Sequence, residues 1–290
     1  MTRISQALEN KNAFIGFAVA GYPDFEKSAK YIVDMAEAGA DLIEIGIAFS
    51  DPSADGPTIM NADQEVLENG STTADVFNLV AEVRKHTDVP LVFLTYTNPV
   101  FKYGYEKFLS KMQSLDIQGV IMPDMPMEEQ DEFLELVHQY GRDFIQLVTL
   151  QSGNRLPKIV ERASGFIYVV SSLGITGSRS KLSNEADEIV TKIKRLTDLP
   201  VAVGFGITTY DQAKQFESAD AIIVGSALVK IIEDHPEDAT SYLTDFIKKY
   251  HLVTGLVVLE TDMDSIFSVL GSMAFSFTAL FRWDHSWPVP

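Results

Sequence analysis

Cysteine is missing from the chain altogether. Disulfides, cysteine–zinc sites and thiol nucleophiles are therefore excluded. Positive charge is scarce: 23 Lys and Arg stand against 41 Asp and Glu, a formal net charge of −18. That argues against nucleic acid and anionic membrane as partners, because both are held by basic surface. Any phosphate site must be built locally, from backbone N–H groups and helix N-termini, against the field of the whole chain. Histidine is sparse as well. Of five, His86, His138, His235 and His251 fall on helix-like segments or their ends. None has a carboxylate at metal-ligand spacing. There is no G-x-S-x-G, so no serine-hydrolase elbow is expected. The opening "MTRISQALENKN" has no apolar leader core, which sets a cytoplasmic location as the expectation.

What is present is regular. Apolar runs alternate with helix-period segments along 290 residues, of which 46% are hydrophobic and 22% charged. Candidate strands lie at 13–19, 41–47, 90–96, 119–123, 144–148, 166–171, 200–206 and 221–226. Candidate helices lie between them, at 25–39, 74–87, 105–115, 127–141, 156–164, 184–197 and 209–219. Strands that are apolar throughout signal burial on both faces, as in parallel sheets. Strict alternation with helices signals βαβ units. Eight such units in about 230 residues predict a closed (β/α)8 TIM barrel of the α/β class, formed as a single domain. The rival open sheet would show a glycine-rich fingerprint after its first strand, and "FAVAGYPD" has none.

"EIGIAFSDPSADGPTI" (44–59) carries the first chemical signal. In "LIEIGI" the side chains alternate, so Ile43, Ile45 and Ile47 face the outer helices while Leu42, Glu44 and Gly46 face the barrel interior. Glu44 is expected near the top of the core, with Gly46 leaving room above it. Desolvation raises the pKa of such a carboxyl, which suits a general acid/base near neutrality. The bland reading is a barrel carboxylate satisfied by a polar neighbour. Asp51 and Asp55 sit in Asp-Pro and Asp-Gly turn dipeptides. On spacing alone Asp51 is a turn or cap residue. For Asp55 the turn reading is slightly favoured over a ligand contact. A hard cation needs more convergent oxygens than this loop offers, so no metal is expected.

A distributed phosphate cup is the second signal. "SSLGITGSRS" (171–180), "VGFGIT" (203–208) and "IVGSALV" (223–229) follow the sixth, seventh and eighth strands. In such barrels the loops after strands seven and eight bind phosphate through backbone N–H groups and a helix N-terminus. Gly206, Gly225 and Ser226 fit that pattern. The alternative is that these glycines only mark sharp strand-to-helix turns. Lys102 and Lys230 lie outside the predicted strands and are not read as Schiff-base lysines.

Together, "AGYPD", "IEIGIAFSDPSADGPTI", "LTYTNPVFKYG", "IMPDMPMEE", "GFIYVVSSLGITGSR", "VGFGI" and "IIVGSALV" resemble the tryptophan synthase alpha subunit family in order and spacing. The resemblance covers residues 1–250, the expected catalytic barrel. It implies retro-aldol cleavage of indole-3-glycerol phosphate to indole and glyceraldehyde 3-phosphate. Glu44 matches the family's catalytic glutamate and Asp55 the aspartate that holds the indole N–H. Phe17 matches the indole pocket, Tyr168 a tyrosine beside the glutamate, and Thr176 and Gly177 a loop that closes the site. Gly206, Gly225 and Ser226 match phosphate contacts, with Gly204 nearby. The reaction so implied needs C3 of indole protonated, leaving iminium character on the ring nitrogen. Asp55 can stabilise that charge and later accept the N–H proton, while Glu44 shuttles protons between C3 and the glycerol hydroxyl. No cofactor is implied in this chain. The family works with a beta subunit, which uses pyridoxal phosphate to join indole to serine for L-tryptophan synthesis, and an alpha2beta2 complex is implied. Asp51, Asn98 and Pro99 then read as interface or loop-shaping residues.

The chain departs from the family at Ala48 (usually proline), Ser53 (usually leucine) and at Leu150 and Gln151. None removes a group the reaction needs. Residues 251–290 are an atypical apolar C-terminal extension without counterpart. Its uncharged run "SIFSVLGSMAFSFTALF" has 17 residues, short of the roughly 20 a spanning helix needs. A packed or interacting segment, an altered reading frame and a membrane anchor are the readings left open, the anchor least favoured.

Overall fold

The computed structural model describes residues 2–9, 12–171, 179–204, 206–207, 209–216 and 218–261. The chain divides into two compact units, Met1–His251 and Leu252–Pro290. The first unit is built on nine short parallel strands: β1 (Ala13–Val19), β2 (Leu42–Gly46), β3 (Leu91–Leu94), β4 (Gly119–Ile121), β5 (Asp143–Phe144), β6 (Gln146–Thr149), β7 (Ile167–Val170), β8 (Val201–Gly204) and β9 (Ala221–Val224). They pair in the order β5-β4-β3-β2-β1-β9-β8-β7-β6.

The two ends of that order, β5 and β6, are neighbours in sequence across Ile145. Ile145 N–H donates to Val120 O at 3.1 Å on one side, and Gln146 pairs with Ile167 on the other. The predicted fifth strand is thus present but cut in two, and the sheet closes on itself as a (β/α)8 barrel. β1 has the expected bounds, and the remaining strands are shorter than the apolar runs suggested. Pro90 has no N–H to give to a ladder, and Tyr96 already serves as the N-cap residue of the helix Thr97–Tyr103.

Every residue of β1, β2, β3, β4, β7, β8 and β9 is buried. This is the two-sided burial that near-continuous apolar strands require. Phe17 pairs with Glu44, and Glu44 with Val92. Residues opposite one another in a ladder share a face, so these three point inward together.

The helices start where local chemistry allows. Asp24 caps Phe25–Glu37 by accepting from Lys27 N–H at 2.8 Å. Thr72 and Asp75 form a capping box at Thr73–Val83. Helices outside the expected set include Thr97–Tyr103 and Pro57–Glu68, which begins inside the loop that "FSDPSADGPTI" suggested. Proline at the first helical position has the right φ and no N–H to waste, and Ala62 and Val66 bury its inner face. Conversely, the helix expected at 209–219 is only Tyr210–Ala213. The barrel floor is plugged by the helix Arg3–Ala7 and Leu8, with Ile4 and Leu8 fully buried. The helix Thr240–Thr261 packs on the outside through Leu243, Ile247 and Tyr250, the last with its ring 4.9 Å from that of Phe14. Among the described residues no helix is long and apolar enough to cross a membrane.

Candidate active site

A cavity of about 270 Å³ opens at the C-terminal ends of the strands. Phe17 reaches it from β1, Glu44 from β2, Leu94 from β3, Tyr168 from β7 and Ile223 from β9. Asp55 and the start of the helix Pro57–Glu68 form one wall; Gly206, Ile207, Gly225 and Ser226 form another. Seven residues singled out in the sequence therefore meet in one place: Phe17, Glu44, Asp55, Tyr168, Gly206, Gly225 and Ser226. Thr176 and Gly177 lie outside the described residues.

Glu44 is 1% exposed and its Oε1 has no hydrogen-bond partner in the structure. Burial, with the nearby charge of Asp55 adding to it, pushes its pKa up to about 8. The carboxyl is thus held protonated at neutral pH, ready to give a proton and take it back. The bland reading, a carboxylate satisfied by a neighbour, does not describe that oxygen. Asp55 behaves differently. Burial raises its pKa, but a hydrogen bond from the Tyr96 hydroxyl to Asp55 Oδ2, at 2.7 Å, pulls it back down. The same hydroxyl accepts from Ala54 N–H at 3.0 Å. A third carboxyl, Asp63 on the Pro57–Glu68 helix, is buried and raised to about 7 by burial first and the Asp55 charge second.

Two glycines are explained by the aromatic walls. A Cβ on Gly46 would lie 2.7 Å from Phe17 Cζ, so the space expected above Glu44 is filled by the Phe17 ring. A Cβ on Gly204 would lie 2.5 Å from the Tyr168 hydroxyl oxygen. Gly204 is not on the cavity wall; it makes room for Tyr168, which is. Tyr168 pairs with Ala202 and Val170 with Gly204, so Tyr168 and Gly204 share one face and lie diagonally across the two strands.

The phosphate-cup residues sit at one end of the cavity. Gly225 is the N-cap residue of the helix Ser226–Asp234. Leu228 and Val229 N–H both turn back to Gly225 O, while the N–H groups at the very start of a helix have no acceptor within it. Gly206 has φ +80°, a backbone conformation that glycine adopts without strain. Ser226 and Gly206 both line the cavity.

Asp51 stays at the rim as a turn residue. It is exposed, Ser50 Oγ donates to it at 2.8 Å, and its carbonyl takes Ser53 N–H at 2.8 Å. Asn98 and Pro99 line a separate rim groove of about 510 Å³ with Ile47, Ala48, Phe49 and Lys102. Lys230 is engaged by Glu233 and Asp234 on its own helix. No group of three or more His, Asp or Glu suited to a metal occurs among the described residues.

Sequence reasoning missed Leu94, Ile59, Ile207 and Ile223 of the lining, and the Tyr96 and Asp63 side chains behind it. Tyr96 was findable: it stands two residues beyond Leu94, hence on the same parity at the top of β3. Asp63 was not, because its helix was read as loop.

The fold and site define a class: a (β/α)8 barrel that gathers carboxyls at the C-terminal ends of its strands, beside a helix N-terminus and glycine turns. Comparison with known proteins narrows it. The family profile described as tryptophan synthase alpha chain matches residues 4–255. The chain is 44% identical over 250 residues to the tryptophan synthase alpha chain of Lacticaseibacillus casei, covering 86% of this chain and 94% of that one. It is 45% identical over 251 residues to that of Lactiplantibacillus plantarum, covering 86% and 95%. Among solved structures, tryptophan synthase from M. tuberculosis in its aminoacrylate-bound form superposes with a TM-score of 0.77 at 31% identity, covering 86% of this chain and 98% of that one. The tryptophan synthase subunit alpha of Legionella pneumophila gives 0.79 at 29% identity, covering 87% and 98%. The chain belongs to the tryptophan synthase alpha chain family, and it is a lyase of that family's kind, acting on indole-3-glycerol phosphate.

Proposed function

We propose that Glu44 and Asp55 carry the retro-aldol cleavage of indole-3-glycerol phosphate in this chain. The observation that bears most weight is the buried, unpartnered Glu44 Oε1 at the cavity wall opposite the Asp55 loop. Protonated Glu44 gives its proton to C3 of the indole. The ring nitrogen becomes an iminium, and the Asp55 carboxylate, on its N–H, stabilises the new charge. Glu44, now a carboxylate, takes the proton of the hydroxyl on the carbon attached to C3. The C–C bond breaks, its electrons restore the indole, and that carbon becomes the aldehyde of glyceraldehyde 3-phosphate. Glu44 ends protonated, as it began.

In this reading Phe17 and Leu94 hold the indole, and Tyr168 closes the wall beside Glu44. Gly206, Gly225 and Ser226 hold the phosphate through backbone N–H groups and the helix N-terminus. The anion is bound by local dipoles in spite of the chain's net charge of −18. Thr176 and Gly177 keep the role implied by the resemblance, a segment that closes over the substrate.

Residues 1–250 form the catalytic domain in this proposal, with 251–290 an extension of unassigned role. The chain itself works without a cofactor. Its partner is a tryptophan synthase beta subunit in an alpha2beta2 assembly, which holds the pyridoxal phosphate and uses the indole, and the enzyme acts in the cytoplasm. The rim groove lined by Asn98, Pro99 and Lys102 supports a docking face there. The similar structure from Pyrococcus furiosus is of a tryptophan synthase complex, which agrees with this partner.

The test is release of indole from indole-3-glycerol phosphate by the purified chain, alone and with a beta subunit. Slow cleavage that the partner accelerates is expected. Fast cleavage by the chain alone would make it a stand-alone lyase, and no cleavage in either case would overturn the proposal.

A further inference from the structure

Tyr96 makes three contacts with one short loop. Its hydroxyl donates to Asp55 Oδ2 at 2.7 Å and accepts from Ala54 N–H at 3.0 Å. Its ring stacks on Phe49, with centroids 5.1 Å apart and planes 29° apart. Phe49 and Asp55 stand near the two ends of the loop between β2 and the helix Pro57–Glu68, so one side chain spans it. Tyr96 itself is 2% exposed. Its backbone is set by its place as N-cap residue of the helix Thr97–Tyr103. That helix is pinned in turn by Asp124, whose Oδ1 accepts from Thr97 N–H at 2.8 Å and Thr97 Oγ1 at 2.9 Å. The base from which Tyr96 reaches across is therefore fixed on both sides.

Resting on the reading of Asp55 given above, we propose that Tyr96 is the positioning residue of this site: its hydroxyl, held between Ala54 N–H and the Asp55 carboxylate, keeps Asp55 ionised and aimed at the cavity. The physical need is plain. Asp55 is half-buried, close to Glu44 on β2, Tyr168 on β7 and Asp63 on the Pro57–Glu68 helix. Each of the other two carboxyls discourages a second negative charge. Burial opposes the charge further, and the Tyr96 hydrogen bond favours it. The phenol stays protonated throughout, since burial and the Asp55 charge both raise its pKa. It therefore remains a donor to Asp55 over the whole working range. The Tyr96 bond favours the charged form of Asp55, while Glu44 Oε1 has no hydrogen-bond partner, so the two neighbouring carboxyls are set apart in the direction the reaction asks for.

The test uses the full chain with a saturating tryptophan synthase beta subunit, and follows glyceraldehyde 3-phosphate release against pH. Tyr96→Phe keeps the ring stack and loses both hydrogen bonds. It is expected to lower kcat by about 10- to 100-fold at neutral pH, the scale of a misaimed group, with KM changed by less than about threefold. The acidic limb of the kcat profile is expected to move up by about one pH unit, with partial rescue at higher pH. The limb is read in an Asp63→Asn background as well, so that the group titrating is Asp55. Replacing Tyr96 with 3-fluorotyrosine, a stronger donor of the same shape, should move the limb the other way. An unmoved limb in Tyr96→Phe, whether kcat is intact or uniformly lowered, overturns the proposal, since packing alone would not depend on pH. Asp55→Asn is the separate control: full activity there would sink the role of Asp55 itself, whatever Tyr96 does.

Discussion

The two ends of the barrel both draw ionisable groups partly or wholly out of water, and they treat them in opposite ways. At the N-terminal end the half-buried Arg84, Asp41, Asp220 and Arg142 are tied down. The Arg84 guanidinium donates to the carbonyls of Leu115, Thr87, Val89 and Asp116 and to Gln118 Oε1. Asp41 accepts from Phe14 N–H at 2.7 Å; Asp220 accepts from Val201 N–H at 2.8 Å and pairs with Lys194 at 2.6 Å. Arg142 donates to the carbonyls of Tyr140 and Ile117. These bonds stitch the helix-to-strand turns together. At the C-terminal end Glu44 has an oxygen with no partner, and Glu44 and Asp63 are pushed to about 8 and about 7. A satisfied buried group rigidifies a fold, whereas an unsatisfied one is a reagent held at a cost. The same chain does both, 20 Å or so apart by the length of a strand and its turns.

The sharpest way to break this contrast is to remove one group from each end. Glu44→Gln should reduce indole release by about a thousandfold or more, at the upper part of the range for a general acid/base. Thermal unfolding should show the variant as stable as the parent or more so, because a charge-prone buried group is gone. Retained cleavage would mean that Glu44 is only a core residue. Arg84→Met should do the reverse. It strands several carbonyls and Gln118, and should lower stability by about 2–3 kcal/mol in urea unfolding, with kcat within twofold of the parent. A loss of activity without loss of stability would erase the distinction between the two ends.

The pH dependence of stability sharpens it further. Glu44 and Asp63 have folded pKa values of about 8 and about 7, above their ordinary 4.5 and 3.8. Between those values the folded state holds protons that the unfolded state has released. Stability from these groups is therefore greatest below about pH 4 and is lost as pH rises towards 8, at up to about 1.4 kcal/mol per pH unit for each group. Denaturation of Glu44→Gln at several pH values should show its advantage over the parent growing from pH 4.5 to 8 and then levelling off. A constant difference would contradict the raised pKa. Cleavage by the parent should also decline above about pH 8, as Glu44 loses its proton.

The smaller effects probe shape. Gly46→Ala would place a methyl group 2.7 Å from the Phe17 ring. The ring must turn, and KM for indole-3-glycerol phosphate should rise by about tenfold, since ground-state binding of the indole is what it disturbs. An unchanged KM would show that Phe17 does not shape the indole pocket. Least of all, Lys85→Ala removes an exposed pair with Glu82 and should change stability by less than about 0.5 kcal/mol.

Much of this was legible beforehand, for identifiable reasons. Alternation along "LIEIGI" fixes which face Glu44 occupies as soon as the strand is granted, because side-chain parity in a strand is rigid. Glycine followed by serine at the end of the last strand announces a helix N-terminus in the same way. Asp55 was ambiguous from spacing: a turn aspartate and a site aspartate have the same neighbours in sequence. Only the Tyr96 hydroxyl, 41 positions away in the chain, separates them. The break at Ile145 was invisible for a similar reason. Its residues are as apolar as those of any strand, and the interruption arises from where the sheet must close on itself.

The sequence by itself determined the order and periodicity of the elements, the inward face of each strand, and the family to which the motifs point. Those are local properties, written by side-chain alternation, caps and turn residues within a few positions of one another. Tertiary structure decided which groups are strained and which are content. It filled the space over Gly46 with Phe17 and the space over Gly204 with Tyr168. It left Glu44 Oε1 bare and gave Asp55 a donor. Desolvation and hydrogen-bond supply depend on what arrives from distant parts of the chain, and only closing the barrel brings those parts together.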